Sequence, residues 1–296
     1  ISTASHTAFD SLSAQNTVPR SLDFSPDGTK MVVVGETGDE LLYYTFSTPW
    51  DISSKTYVGL YHTSPYGVNS AYYNGGTNYF TKSGFSILVP RGVRYINDGD
   101  GISILDGYYT SSSYYAKVVN YTLGQSYNGL SIIDGLLLDF YTQSGASNDI
   151  AYNLEFNNDG TKVYVVNLSD DKIYQWTLDT PYTFSSSNYG MTFDGITAVL
   201  EGETNPRALS FNDVGDIFFL TGATTDKIME FTVSIPFDLT STLAITTSYS
   251  ILNQISGINT STTGESSPSQ LLWTNSGLFF SGLDLDAVYK INFVDK

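Results

Sequence analysis

Residues 151–166 read AYNLEFNNDGTKVYVV, two short apolar runs joined by an Asn-Asp-Gly turn. Four more stretches have the same form: PRSLDFSPDGTKMVVV (19–34), PRGVRYINDGDGISIL (90–105), PRALSFNDVGDIFFL (206–220) and PSQLLWTNSGLFFS (268–281). Aligned, they give an aromatic column of Phe24, Tyr95, Phe156, Phe211 and Trp273. A glycine column follows four residues later at Gly28, Gly99, Gly160, Gly215 and Gly277, with spacings of 71, 61, 55 and 62 residues. Self-similarity at such a period is the signature of a repeat architecture. Glycine at this place suits a hairpin turn that needs positive φ.

A second segment follows each of the first: ELLYYTF (40–46), KVVNYTL (117–123), KIYQWTL (172–178), KIMEFTV (227–233) and AVYKINF (287–293). Tyr174, Trp176 and Leu178 alternate with Ile173, Gln175 and Thr177, and the other four copies alternate likewise. A period of two over six residues is a strand, and no helical stripe competes with it. Pro then stops the ladder and an aromatic follows, in STPWDIS (47–53), DTPYTFS (179–185) and SIPFDLT (234–240), with GQSYNGL (124–130) as the degenerate copy. A fourth strand such as KTYVGLY (55–61) leads to the next unit. Four antiparallel strands repeated near every 60 residues predict an all-β, five-bladed β-propeller of four-stranded blades, one domain over 1–296. The blade repeats centre near 19–61, 90–130, 151–190, 206–245 and 268–296 plus 1–14. The fifth unit ends after its third strand, so the N-terminal segment around 3–14 is expected to supply its outer strand and close the ring. The longest spacing leaves residues 60–90 as the place where a sixth unit would hide.

The string DGTKVYVVNLSDDKIYQWTLDTPYTF (159–184), with DGTK and STPWDIS in the first unit, resembles a β-propeller repeat of bacterial surface proteins and marine phage structural proteins. The match is strong in units one and three, fair in four and weak in two and five. The resemblance implies a propeller in a secreted, surface or virion setting and brings no catalytic motif.

Composition bounds the chemistry. Of 296 residues, 13 are Lys or Arg and 30 are Asp or Glu, a net charge of −17 that argues against nucleic-acid binding and against anionic membranes. No run approaches the roughly 20 apolar residues of a membrane span. Aromatics are 15% and charged residues only 15%, so the surface must be rich in Ser, Thr, Asn and Tyr. With no Cys there is no disulfide or thiol chemistry, and two His, His6 and His62, are too few for a multi-histidine metal centre. The start at Ile1 and the polar surface lead us to expect a processed or excised piece of an extracellular, cell-surface or virion protein.

Three constellations are candidates for chemistry. Arg20, Arg91 and Arg207 share one position just after Pro at the entry to the innermost strand, where unit three has Tyr152 and unit five Ser269. Three guanidiniums near one end of a channel suit an anion or a sugar acid. The competing reading pairs each Arg with an Asp of the series Asp39, Asp171, Asp226 and Asp286. Asp23 and Glu155 share a second inner-strand position, with Arg94, Ser210 and Leu272 in the other units, and are the minimum pair for a propeller glycosidase. No G-x-S-x-G or H-E-x-x-H motif is present. Asp98 with Asp100, and Asp284 with Asp286, are spaced like fragments of calcium loops, but neither is a full loop and turn capping accounts for them more simply, so no cofactor is expected, with a structural Ca2+ as the alternative. Trp50, Tyr127, Tyr182 and Phe237 recur after the third strand, at the end opposite the arginines, as blade packing or as a sugar-stacking ring.

The function expected is a non-enzymatic surface or virion structural or adhesion module, of the phage-fibre, decoration or receptor-binding type. Its expected partner is a cell-surface glycan or another virion or surface protein. The alternatives are a secreted glycosidase-like enzyme using Asp23 and Glu155 and, with less support, an intracellular protein scaffold.

Overall fold

The structure, a computed structural model, describes residues 4–37, 39–62, 89–109, 114–129, 132–139, 151–168, 171–184, 190–198, 202–250, 267–284 and 286–293. Twenty strands form five four-stranded antiparallel sheets. Blade one is β2 (Pro19–Phe24), β3 (Lys30–Gly35), β4 (Glu40–Phe46) and β5 (Lys55–His62). Blade two is β6 (Pro90–Ile96), β7 (Gly101–Tyr109), β8 (Tyr114–Leu123) and β9 (Ile132–Asp139). Blade three is β10 (Ala151–Phe156), β11 (Lys162–Asn167), β12 (Lys172–Leu178) and β13 (Met191–Ala198). Blade four is β14 (Pro206–Phe211), β15 (Ile217–Gly222), β16 (Lys227–Val233) and β17 (Leu243–Ser250). Blade five joins β18 (Pro268–Thr274), β19 (Gly277–Gly282) and β20 (Ala287–Phe293) to the N-terminal β1 (Ala4–Ser11).

The ring is therefore closed by β1, which pairs with β20 from Ala4↔Phe293 to Ser11↔Ala287. Inner strands touch in the order β2, β6, β10, β14, β18 and back to β2. The core is divided the same way, into five apolar clusters that each lie between two adjacent blades. This sharpens the reading of the third strands. Leu42, Tyr44 and Phe46 pack against blade five, while Leu41 and Tyr43 pack against blade two. Alternation here sorts side chains between two neighbours and not between core and water. The region 63–88, where a sixth unit was sought, lies outside the described residues.

Two irregularities recur in register. Each outer strand skips one residue against its partner, at Thr7, Val58, Ile133, Asp194 and Thr246. Each inner strand does so at its second residue, with consequences for the site. Among the described residues, no helix is long and apolar enough to cross a membrane.

Candidate functional site

In β2, Pro19 pairs with Gly35 and Ser21 with Val34, so Arg20 is left without a cross-strand partner. The same one-residue bulge falls at Arg91, Tyr152, Arg207 and Ser269 in the other inner strands. A bulge frees a residue from the pleat and re-aims its side chain. Pro before it costs no ladder bond at the first residue of an edge strand. Four of the five bulged side chains, Arg20, Arg91, Tyr152 and Arg207, meet at one end of the inner strands, while Ser269 is buried against Pro19 O and Ser281.

Tyr152 is the hub of this arginine mouth. The guanidinium carbons of Arg91, Arg207 and Arg20 lie 4.4, 5.4 and 5.8 Å from its ring centroid. Within about 6 Å of a ring, cations are attracted by its negative face. Glu36, in the turn after β3, holds two of them: Arg20 Nη2 lies 2.7 Å from Oε2, and Arg91 Nη1 lies 2.8 Å from Oε1. The second contact is an ion pair without hydrogen-bond alignment, because Arg91 Nη1 and Glu36 Oε1 are both left without a hydrogen-bond partner. Arg20 Nε, Arg91 Nε and Arg207 Nη1 are buried and equally unsatisfied. Arg207 has a long contact of 3.4 Å from Nε to Asn205 Oδ1. Burial, then the Arg20 charge, pull Arg91 below the usual guanidinium range, and burial does the same to Arg207. A guanidinium nevertheless stays protonated in proteins.

Of the Asp series, Asp226 is close enough to Arg207 for their charges to interact, and all four members share a backbone role. Asp39, Asp171, Asp226 and Asp286 all have φ between +48° and +56°, so they are turn residues in the left-handed region, where Asp is tolerated. Burial, reinforced by Asp106 and Glu36, pushes Asp39 up to about 7. The partner of Arg20 and Arg91 is Glu36, which lies outside every aligned column.

Deeper in the channel, the second constellation is a buried ion network. Arg94 Nε lies 3.1 Å from Glu155 Oε2, with Nη2 at 2.5 Å, and Nη1 donates to the carbonyls of Leu22 and Val93 at 3.1 and 2.9 Å. Nη2 also donates to Leu271 O at 3.3 Å, so one guanidinium ties blades one, two, three and five. Asp23 accepts from Phe24 N at 2.9 Å and, across the blade gap, from Tyr95 N at 2.6 Å. Ser21 does the same for Val93 N, Asn153 for Leu209 N and Ser210 for Trp273 N. An inner strand is the edge of its own sheet, and its buried N–H groups need acceptors. Polar side chains at two inner-strand positions supply them from the preceding blade. Burial raises Asp23 to about 6 against the opposing pull of Arg94, and burial also raises Glu155. As a glycosidase pair the two are poorly placed. Each is committed to holding blades together, and Arg94, from the same column, is bonded to Glu155 and adds its charge near Asp23.

The recurrent aromatics do pack. Trp50, Tyr127, Tyr182 and Phe237 have φ between +54° and +64° and lie on the turn glycine of their own blade. Their N–H groups donate to Gly28, Gly99, Gly160 and Gly215 O. Each ring also meets the aromatic column, with centroids 5.1–5.4 Å apart in the pairs Phe24–Trp50, Tyr95–Tyr127, Phe156–Tyr182 and Phe211–Phe237. Tyr127 and Tyr182 additionally line a cleft of about 430 Å³ among the hairpin turns of blades one to three. Asp98 accepts from the Tyr127 hydroxyl at 2.9 Å, and Asp100 accepts from Ser126. Among the described residues no group of three or more His, Asp or Glu side chains is arranged to hold a metal ion. His6 and His62 sit in outer strands, and their side chains lie outside the description.

The fold defines a class, a closed five-bladed propeller, here with three arginines gathered around Tyr152 at one end of its inner strands. No family model matches the chain, and no curated protein sequence does. Among solved structures it is similar to the periplasmic gluconolactonase PpgL of Pseudomonas aeruginosa, at 14% identity and TM-score 0.49, over 89% of this chain and 65% of that one. A luciferin-regenerating enzyme is similar at 7% identity and TM-score 0.49, over 93% and 73%. A putative 6-phosphogluconolactonase from Bacteroides uniformis is similar at 12% identity and TM-score 0.47, over 93% and 88%. The chain spans just under two thirds of the PpgL length.

Proposed function

We propose that this chain is a non-enzymatic binding module of a surface or virion assembly, and that the bulged ring is where it takes an anionic group of its partner. The carboxylate of a sugar acid on a cell-surface glycan, or of an acidic side chain on a neighbouring surface protein, has the matching chemistry. One observation carries the reading: Arg20, Arg91 and Arg207 surround a single tyrosine, Glu36 pairs with the first two, and four of their buried donor nitrogens lack hydrogen bonds. A planar carboxylate would satisfy such donors in pairs. The repeat resemblance, the low charge density and the polar surface support the setting. The hydrolase alternative asks Asp23 and Glu155 to be free for proton transfer, whereas both support the blade junctions.

A glycan array on the purified chain, with product analysis of every hit, tests this. The expected result is retention of carboxylated glycans over their neutral counterparts, with no cleavage. Binding that ignores the carboxylate, or cleaved product lost in Asp23→Asn or Glu155→Gln, overturns it.

A further inference from the structure

The cleft at the far end of the channel has the opposite chemistry. Its base is Asp23, its walls are Tyr95, Tyr127 and Tyr182, and its exposed rim carries Asp98 and Asp159. At about 430 Å³ it falls in the size range of small-molecule sites. What it offers a ligand is decided by where its own hydrogens go. Tyr95 Oη donates to Tyr127 O at 3.1 Å, Tyr127 Oη to Asp98 Oδ1 at 2.9 Å and Tyr182 Oη to Asn158 O at 3.0 Å. The Asn158 amide donates to Asp213 O. The three tyrosine hydroxyls of the lining are thus spent on protein acceptors, as is one of the two Asn158 amide hydrogens. The lining presents carboxylate oxygens and aromatic rings.

A sugar acid or phosphate would meet the like charge of Asp98 and Asp159, and a neutral sugar would find few side-chain donors for its acceptor oxygens. A cation suits both features, since carboxylates attract it and tyrosine rings stabilise it when desolvated. The nearest protein cations are occupied. Arg94 is bound to Glu155, and Lys30 donates to Ser126 O with its ammonium 6.0 Å from the Tyr127 centroid. Rings and carboxylates are also held firmly. Tyr127 and Tyr182 clasp their turn glycines, and Asp159 is fixed by Thr161 through both N–H and hydroxyl. A pre-formed lining adds no ordering cost on binding.

We propose that this cleft is a second binding site, distinct from the arginine mouth, for an organic ammonium group, such as a quaternary amine or a lysine-type side chain of a partner. The two ends of one channel then recognise opposite charges. The inference does not depend on the anion site and stands or falls separately.

Titration calorimetry with choline chloride, against 3,3-dimethylbutan-1-ol as its neutral isostere and methyl glucoside as a neutral sugar, is the test. Choline is expected to bind the whole chain at least about tenfold more tightly than either neutral probe. The Asp98→Asn/Asp159→Asn double variant keeps the rings and should lose about tenfold in choline affinity and most of the salt dependence. Asp216→Asn, which removes a charge in blade four, should leave choline binding as it was. Tyr182→Leu should weaken choline binding further, with folding checked by an unchanged unfolding transition. Equal binding of the isostere, preference for the glucoside, no binding of choline, or a double variant that binds like the parent overturns the proposal.

Discussion

At Gly28 the backbone has φ +68°, and a Cβ built there would lie 2.3 Å from the Trp50 ring. Gly99, Gly160 and Gly215 repeat both features against Tyr127, Tyr182 and Phe237. Conformational freedom alone would let Asn or Asp stand in, but the approach of the ring excludes any side chain. We expect Gly28→Ala to lose about 2–4 kcal/mol, read as a drop in the denaturant midpoint, from left-handed strain plus overpacking. A loss under about 0.5 kcal/mol would mean the clasp is not tight. Asp23 makes a second residue-scale prediction. Its carboxyl stands at about 6 in the fold against 3.8 ordinarily, so between these values the folded chain holds a proton that the unfolded chain has released. Stability from this group is full below pH 4 and falls as pH rises to about 6, by roughly 3 kcal/mol at most. Asp27 and Asp159 act in the other direction, being held low by hydrogen bonds from Ser25 and Thr161, and what they contribute is lost below pH 4. Denaturant unfolding across pH 4–7 should therefore show a decline in the parent that is visibly flatter in Asp23→Asn, and parallel curves would contradict the assignment.

Among elements, β1 carries the most consequence for its length. It covers the β20 edge and joins the first residues of the chain to the last. Without it, blade five presents an unpaired edge, and the apolar cluster between blades five and one loses the segment leading to Leu12. A chain starting after residue 12 is expected to self-associate on size exclusion, and a synthetic peptide of residues 1–12 should return it to monomer; a monomeric, equally stable truncation would show that closure is dispensable. The order of elements was legible in the sequence because each blade repeats its aromatic, its glycine and its period-two strand. The bulges were not, since a one-residue register skip leaves no compositional trace. Their only sequence sign is the Pro-Arg pair that begins three of the five inner strands. Glu36 was missed because it sits in a turn with no counterpart in other blades, so no column reported it. Tyr152 and Arg94 were visible as exceptions in their columns. In both, the odd member makes the cross-blade contacts, the Tyr152 ring to three guanidiniums and Arg94 to Glu155.

Over the whole molecule, the inner strands set up three levels along one axis. The bulged ring places three guanidiniums at one end, the Asp23–Arg94–Glu155 network ties the middle, and tyrosines with carboxylates lie at the other end. Five interblade cores hold these levels in place. With a net charge of −17, the chain as a whole repels anions, and the arginine mouth has to work against that field. The most direct test of the account is a calorimetric titration of glucuronate against methyl glucoside, for the parent chain and for Arg20→Gln/Arg91→Gln/Arg207→Gln. The account predicts binding of glucuronate only, weakened by added salt and reduced at least about tenfold in the triple variant. Equal affinity for both sugars, or a triple variant that binds glucuronate as the parent does, would contradict it.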